Sequence, residues 1–441
     1  MALLTKNGFR EAQPSQLSVF DVPPTQTAVQ NVYYSEIRPI TQLSRSGPIE
    51  FVISGQNGME YIDLKKSQVY AKVKITHENG TDLADTSNVG PINLLLQSLF
   101  SQVDIAMQGK MITSTTGHYP YKAYIQTLMK YGYDAKSSQL TSQLWHKDVA
   151  TKMDDTDAAQ GLNRGLHIRS KYFKLSKSAE MIGPIYHDLC KLDRYILNQI
   201  GITLKFYRSR PEFLLMTNDD SPKYAVHIED IVLKICKVQL NPAVIYGHSE
   251  IMKSNVNAKY PFTKTEVKMF ALAKGQVNVT LDNMFQGVRP NKVVVGFVSS
   301  QAVTGSYSLN PFNFQSYDIN QIVLSVDGIP VSGNPLKVNF DDEYGSNCIN
   351  VFTAMLECSG KWMNDAGNQL SRDDINGGYA LFAYQLEPLF DEGGYLTLIK
   401  QGNVRLDAQF SKSLPEPVTC VIYSEYPGYF EINQSREIVI E

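Results

Sequence analysis

The residue types that most often carry chemistry are all present, but their spacing assembles no familiar reaction centre. The seven histidines, His77, His118, His146, His167, His187, His227 and His248, include no H-x-x-x-H or H-x-H pair that a helix or strand would turn toward one metal. They read as surface or structural residues, with ligands converging from distant strands as the alternative. Three acidic clusters, Asp154-Asp155-x-Asp157, Asp341-Asp342-Glu343 and Asp373-Asp374, read as solvated loop charge, with weak divalent binding as the competing reading. The first opens like an EF-hand loop but lacks its glycine and terminal glutamate. A nucleophile elbow fails at Gly305-Ser306-Tyr307-Ser308. A P-loop fails twice, because Gly109-Lys110 is followed by Met111 and Gly360-Lys361 by Trp362. Cys190, Cys236, Cys348, Cys358 and Cys420 are odd in number and form no C-x-x-C pair, so they read as free thiols of a reducing compartment. Arg164, Arg169, Lys171, Lys174 and Lys177 read as a solvated face, with phosphate or an acidic neighbour as the alternative partner. No catalytic, cofactor-binding or metal-ligating residue is nominated, and no cofactor is expected.

Composition points to the same kind of molecule. Charged residues make up only 19% of the chain, below the usual quarter or so, and polar uncharged residues, glycine and tyrosine replace them. That mixture suits short strands and many turns. The net charge of −3 lacks the basic excess of a dedicated nucleic-acid reader. The 25 tyrosines suit sheet edges and subunit interfaces, whereas two tryptophans give little for a sugar-stacking platform. Apolar runs such as 293–298 fall far short of the about 20 residues of a membrane helix, so no membrane span is expected. The first sixteen residues lack the pattern of a signal peptide, and the sequons at Asn79, Asn278 and Asn433 are therefore incidental.

Along the chain, the polar residues 1–46, broken by Pro14, Pro23, Pro24 and Pro39, show no sustained period and read as an extended N-terminal arm. Strands are expected at PIEFVISG, DLKKSQVYAKVKI, HIRSKYFKLS, GITLKFYRS and HIEDIVLKICKVQL. Further strands are expected at VNVTLD, NKVVVGFVSS, QIVLSV, YALFAYQL, GNVRLDAQF and PVTCVIYSEY. VGPINLLLQSLF suggests a short helix. YPYKAYIQTLMKYG suggests an amphipathic one, with Tyr121, Tyr124, Ile125, Leu128 and Met129 on one face and Gly132 as its C-cap. Residues 134–169 read as a long insertion and 241–260 as a connector.

Two segments share one grammar. SQVDIAMQGKMI (101–112) and NQIVLSVDGIPV (320–331) align at a single offset, 328 − 109 = 219, from Gln102/Gln321 to Ile112/Val331. Each precedes a helix-compatible stretch, the second being YGSNCINVFTAMLECSG. Later, PIYHDL precedes GITLKFYRS as PLFDEG precedes GNVRLDAQFSKS, with Gly201 and Gly402 separated by 201. Three correspondences in order point to a duplication. The unit fits an eight-stranded antiparallel jelly-roll sandwich. The chain is therefore expected to be all-β, a double jelly roll with short helices in the loops: 1–46 arm, 47–250 first jelly roll, 251–441 second jelly roll.

The segments GPIEFVISGQNGMEYIDLKKSQVYAKVKI (47–75) and VGPINLLLQSLFSQVDIAMQGKMITSTTGHYPYKAYIQTLMKYG (89–132) resemble the hexon-like double jelly-roll major capsid protein family of Maverick/Polinton elements and adintoviruses. The resemblance implies a viral structural protein of the virion, not an enzyme. It implies a homotrimer that is pseudo-hexagonal and tiles an icosahedral capsid around double-stranded DNA without sequence-specific contact. Penton and other minor capsid proteins would be partners, and assembly would take place in the host nucleus or cytoplasm. Under that reading the 134–169 insertion is an exposed tower or inter-subunit clasp. The arm would lie inside or beneath neighbours, with Lys6 and Arg10 meeting DNA or another capsomer, and its removal should impair shell assembly more than trimer formation. The two Gly hairpins should meet different neighbours in the two halves. The competing class is a two-domain β-sandwich lectin or a bicupin-type metalloenzyme, which would require matched histidines in each half.

Overall fold

In the computed structural model, residues 12–44, 47–55, 58–113, 117–219, 223–340, 348–388 and 396–440 are described. Lys6, Arg10 and the cluster 341–343 lie outside them. The first sandwich contains β1 (Val29–Ile37), β2 (Ile49–Ile53), β3 (Glu60–His77), β4 (Phe100–Met107), β5 (Lys110–Met111), β6 (Ala179–Pro184), β7 (Ile202–Arg208) and β8 (Tyr224–Leu240). The second contains β9 (Ala258–Leu272), β10 (Asn278–Leu281), β11 (Lys292–Ser299), β12 (Ile319–Val326), β13 (Ile329–Pro330), β14 (Leu381–Gln385), β15 (Val404–Phe410) and β16 (Val418–Ile432).

The sheet orders are β1-β8-β3-β6 and β2-β7-β4-β5 in the first sandwich, and β9-β16-β11-β14 and β10-β15-β12-β13 in the second. Adding eight to each strand number converts one pair of sheets into the other. Both sandwiches thus have jelly-roll topology, and the chain is a double jelly roll. Two short strands extend the second sandwich: Ile438–Ile440 on β16 and Leu336–Lys337 on β12.

The duplication extends to single residues. Gln108 and Gly109 turn the first hairpin with φ of 50° and 76°, and Asp327 and Gly328 turn the second with 50° and 81°. Two successive positive φ values match the right-handed twist of the flanking strands. Met107 pairs with Lys110, and Val326 with Ile329, again 219 apart. Even the irregularity repeats, with the register shifting between Phe100 and Gln102 and between Ile319 and Gln321. Met107 opposes Ile202 where Val326 opposes Val404, so this strand repeats at 404 − 202 = 202. Gly201 and Gly402 are therefore one residue out of structural register. Pro330 sits on an edge strand, where its missing N–H costs no ladder bond.

Alternation fills the cores as expected. Val69, Ala71, Val73 and Ile75 of β3 are buried, with Lys72 and Lys74 on the other face. In the second core the Phe297 ring lies edge-on to Phe382 and Phe410, at 6.1 and 5.8 Å. Each such ring contributes about 1.5–3 kcal/mol by leaving water.

Several expectations fail for local reasons. Residues 29–37 are not part of an arm: they form β1, paired along β8. Its counterpart β9 begins inside the expected connector, most of which is a helix, Pro242–Lys253 (α3). Asn241 caps α3 by accepting from the Ala243 N–H, and Pro242 opens it. HIRSKYFKLS is not a strand: its first residues are the C-terminal part of the helix Arg164–Lys171 (α2). The helix read into VGPINLLLQSLF shrinks to the single turn Leu95–Ser98, because Val89–Pro91 pairs as a strand with Leu215–Thr217. The helix Tyr119–Lys130 (α1) forms as read, but Gly132 is extended and does not cap it in the left-handed conformation. Nor is the 134–169 insertion a tower. Its Trp145 and Met153 are each 1% exposed.

Candidate functional site

Each histidine has a local, separate setting. The His167 ring lies 3.0 Å from the Ala158 carbonyl, His227 2.8 Å from the Thr76 hydroxyl and His248 2.9 Å from the Tyr61 hydroxyl. His77 stacks on Tyr224, and burial lowers the pKa of His118 and His146. Among the described residues, no three His, Cys, Asp or Glu side chains are grouped to hold a metal ion. All five cysteines are buried thiols, and burial pushes Cys190 and Cys358 up to about 12, so neither is a ready nucleophile. Asp157 caps its own loop, accepting from Asn88 Nδ2 and from the N–H groups of Ala159 and Gln160, and these bonds hold its carboxyl below the usual range.

The dense side-chain constellation lies instead between the sandwiches. Helix α1 is buried on every side from Tyr119 to Met129. Tyr124 stacks flat on Phe312 of the second sandwich at 4.1 Å and 2°, and Tyr121 meets the same ring edge-on at 5.7 Å. Gln126 Nε2 donates to the Tyr423 hydroxyl at 3.1 Å. Lys122 Nζ reaches Asp188 at 2.7 Å, while the other Asp188 oxygen accepts the Thr265 N–H at 2.9 Å, so one carboxylate ties helix, loop and β9 together. Burial alone would raise Asp188, but Lys122, His187 and Lys191 together hold it below the usual carboxylate range. Burial, and then the charge of Lys122, pushes the neighbouring His187 imidazole down to about 3.

The insertion supplies the rest of the junction. Arg169 and Asp148 form a fully buried ion pair at 2.6 Å. Arg169 also donates to the carbonyls of Pro91 and His146, which fills its guanidinium fork. Asp148 reaches into the second sandwich, with its carboxylate 3.4 Å from Asn310 Nδ2 and its carbonyl accepting from the Tyr379 hydroxyl at 2.7 Å. Asp154 accepts from the Asn310 N–H at 2.7 Å and from Asn313 Nδ2 at 2.5 Å. Lys147 pairs with Asp374 at 2.7 Å, and Lys136, buried over the Trp145 ring, donates to the Asn368 carbonyl.

Arg169, Asp154 and Asp374 are thus not solvated loop charge. They are bonds of a clasp inside one chain. The two hairpins differ as expected: Lys110 Nζ donates to the Ile438 carbonyl of the second sandwich, whereas Ile329 is 72% exposed. This arrangement provides shape and rigidity where the two sandwiches meet.

Comparison with known proteins gives the fold a context. No protein-family model matches the chain. An uncharacterized protein of Caenorhabditis elegans is 24% identical over 438 residues, covering 95% of this chain and 99% of its own. Among solved structures, a chain of the Sputnik virophage matches with a TM-score of 0.60 at 13% identity, over 98% of this chain and 93% of that one. The mavirus major capsid protein matches with a TM-score of 0.55 at 12% identity, over 98% and 95%. The Faustovirus major capsid protein matches with a TM-score of 0.54 at 10% identity, over 100% and 96%. The mavirus and Faustovirus chains, which share this fold across both sandwiches, are major capsid proteins.

Proposed function

We propose that this chain is a major capsid protein of the Maverick/Polinton and adintovirus type. Three copies form a pseudo-hexagonal capsomer, and capsomers tile an icosahedral shell around double-stranded DNA. The observation that carries this reading is the strand-for-strand duplication. Two sandwiches of identical topology, clasped into one body, let three chains present six similar units around a three-fold axis. The structural neighbours and the resemblance of residues 47–132 support the same reading. No helix among the described residues is long and apolar enough to cross a membrane. The chain works by shape and interfaces, meets DNA without reading its sequence, and shares the virion with penton and minor capsid proteins.

Sizing and electron microscopy of the purified protein test this. Trimers with six-fold-looking projections, or closed shells, are expected. A protein that stays monomeric at every concentration would overturn the proposal. A stoichiometric transition metal in the purified protein would favour the bicupin class instead.

A further inference from the structure

The duplicated fold presents the same kind of contact surface twice but covers it once. Within the chain, the loop between β6 and β7, residues 185–201, lies along β9, the edge strand of the second sandwich. Asp188 accepts the Thr265 N–H, Arg194 donates to the Lys259 carbonyl at 2.6 Å, and the Tyr260 hydroxyl donates to the Tyr195 carbonyl at 3.0 Å. Leu189 of this loop is wholly buried, and so is Ile196 where it bridges Ile62 of β3.

The corresponding loop of the second sandwich joins β14 to β15; Leu386 and Glu387 at its start are buried, but the apolar residues before Lys400 are not. Leu396, Leu398 and Ile399 are 56%, 79% and 69% exposed. The strand corresponding to β9 is β1, the edge of the first sandwich, which pairs with β8 on one side only. Val32 and Tyr34, two residues apart and so on one face of β1, are 44% and 49% exposed. Bare apolar residues thus occur on both halves of a contact whose duplicate is closed inside the chain.

We infer that Leu396, Leu398 and Ile399 of one copy cover β1 of a second copy, around Val32 and Tyr34, as the intermolecular counterpart of the β6–β7 loop on β9. The inference rests on the capsomer reading above and names the surface that joins its chains. The contact is head-to-tail. Internal and external contacts would alternate around the ring, and a heterologous interface of this kind closes when its rotation allows.

The test uses the full chain. Leu398→Asp with Ile399→Asp should weaken self-association at least roughly tenfold, as loss of an apolar anchor does, and so should Val32→Asp with Tyr34→Asp. Both pairs are exposed, so circular dichroism and melting temperature should stay as in the parent protein. Separately, chains carrying Tyr34→Cys and Leu398→Cys should form an oxidised dimer when mixed, but neither should do so alone. The five native cysteines are buried and do not compete. Assembly unchanged by both pairs, with no mixed dimer, would overturn the inference and leave the capsid reading standing. A parent protein that never self-associates would overturn both.

Discussion

At the scale of residues, the consequential groups are those whose partners lie far away in the chain. Asp148 is the clearest case. Its carboxylate faces Arg169 with both side chains out of solvent, and its carbonyl holds Tyr379. Asp148→Ala would leave a buried guanidinium unpaired, a change that costs about 3–5 kcal/mol. A chemical-denaturation midpoint should register that loss, whereas a change below about 1 kcal/mol would show that the pair is no keystone. His187 sets an acid limit. Its folded pKa, about 3, lies below the ordinary value of 6.5, so the unfolded chain binds the extra proton between those two pH values. Its contribution is fully present above pH 6.5 and lost progressively as pH falls toward 3, by an amount on the order of a few kcal/mol. Denaturant midpoints measured down that range should flatten in His187→Gln relative to the parent. Little of this was legible from sequence. Asp154, Arg169 and Asp374 stand in polar stretches, and local composition makes such residues look solvated. Only the fold brings Asn310 and Asn313 to Asp154, Asp148 to Arg169 and Lys147 to Asp374.

At the scale of elements, legibility followed the apolar period. Strands such as β3 and β8 carry alternating patterns because one side meets a core, and helix α1 carries an apolar face although the fold buries it on every side. The edge strands β1 and β9 do not. No residue of β1 is fully buried, and of the 15 residues of β9 only Tyr260, Thr265, Val267 and Leu272 are buried. Both were hidden for the same reason: an edge strand with few fully buried positions carries a weak apolar signal. This changes what a truncation should do. Removing residues 1–26 should leave the melting temperature within a few degrees of the parent. Removing residues 1–40 strips β1 from β8, exposes the unpaired ladder from Leu233 to Leu240, and should destabilise the first sandwich itself. Equal melting temperatures for the two truncations would mean that β1 is dispensable to the fold. The α2 segment misled for a different reason, since 167–176 alternates weakly enough to pass for a strand while Leu166 and Arg169 mark a helical face.

At the scale of the whole molecule, the duplication was legible because hairpin turns constrain sequence tightly. A two-residue turn with two positive φ values admits few residue types, so the Gly109 and Gly328 turns kept their signature while the loops around them drifted. The clasp between the halves was not legible, because nothing repeats in it. Its insertion, residues 134–169, belongs to the first half alone, and this asymmetry welds two similar sandwiches into one unequal pair. The buried helix α1 adds a constraint in time. Tyr124 finishes its stack on Phe312, a residue made 188 positions later (312 − 124), so a ribosome adding about 5–20 residues per second needs roughly 10–40 s to supply it. Throughout that interval Tyr124 of the nascent first sandwich has Trp145 beside it but lacks the flat face of Phe312. Synthesis itself thus delays completion of the fold: an interrupted chain keeps an unfinished apolar face that chaperones or proteases can recognise.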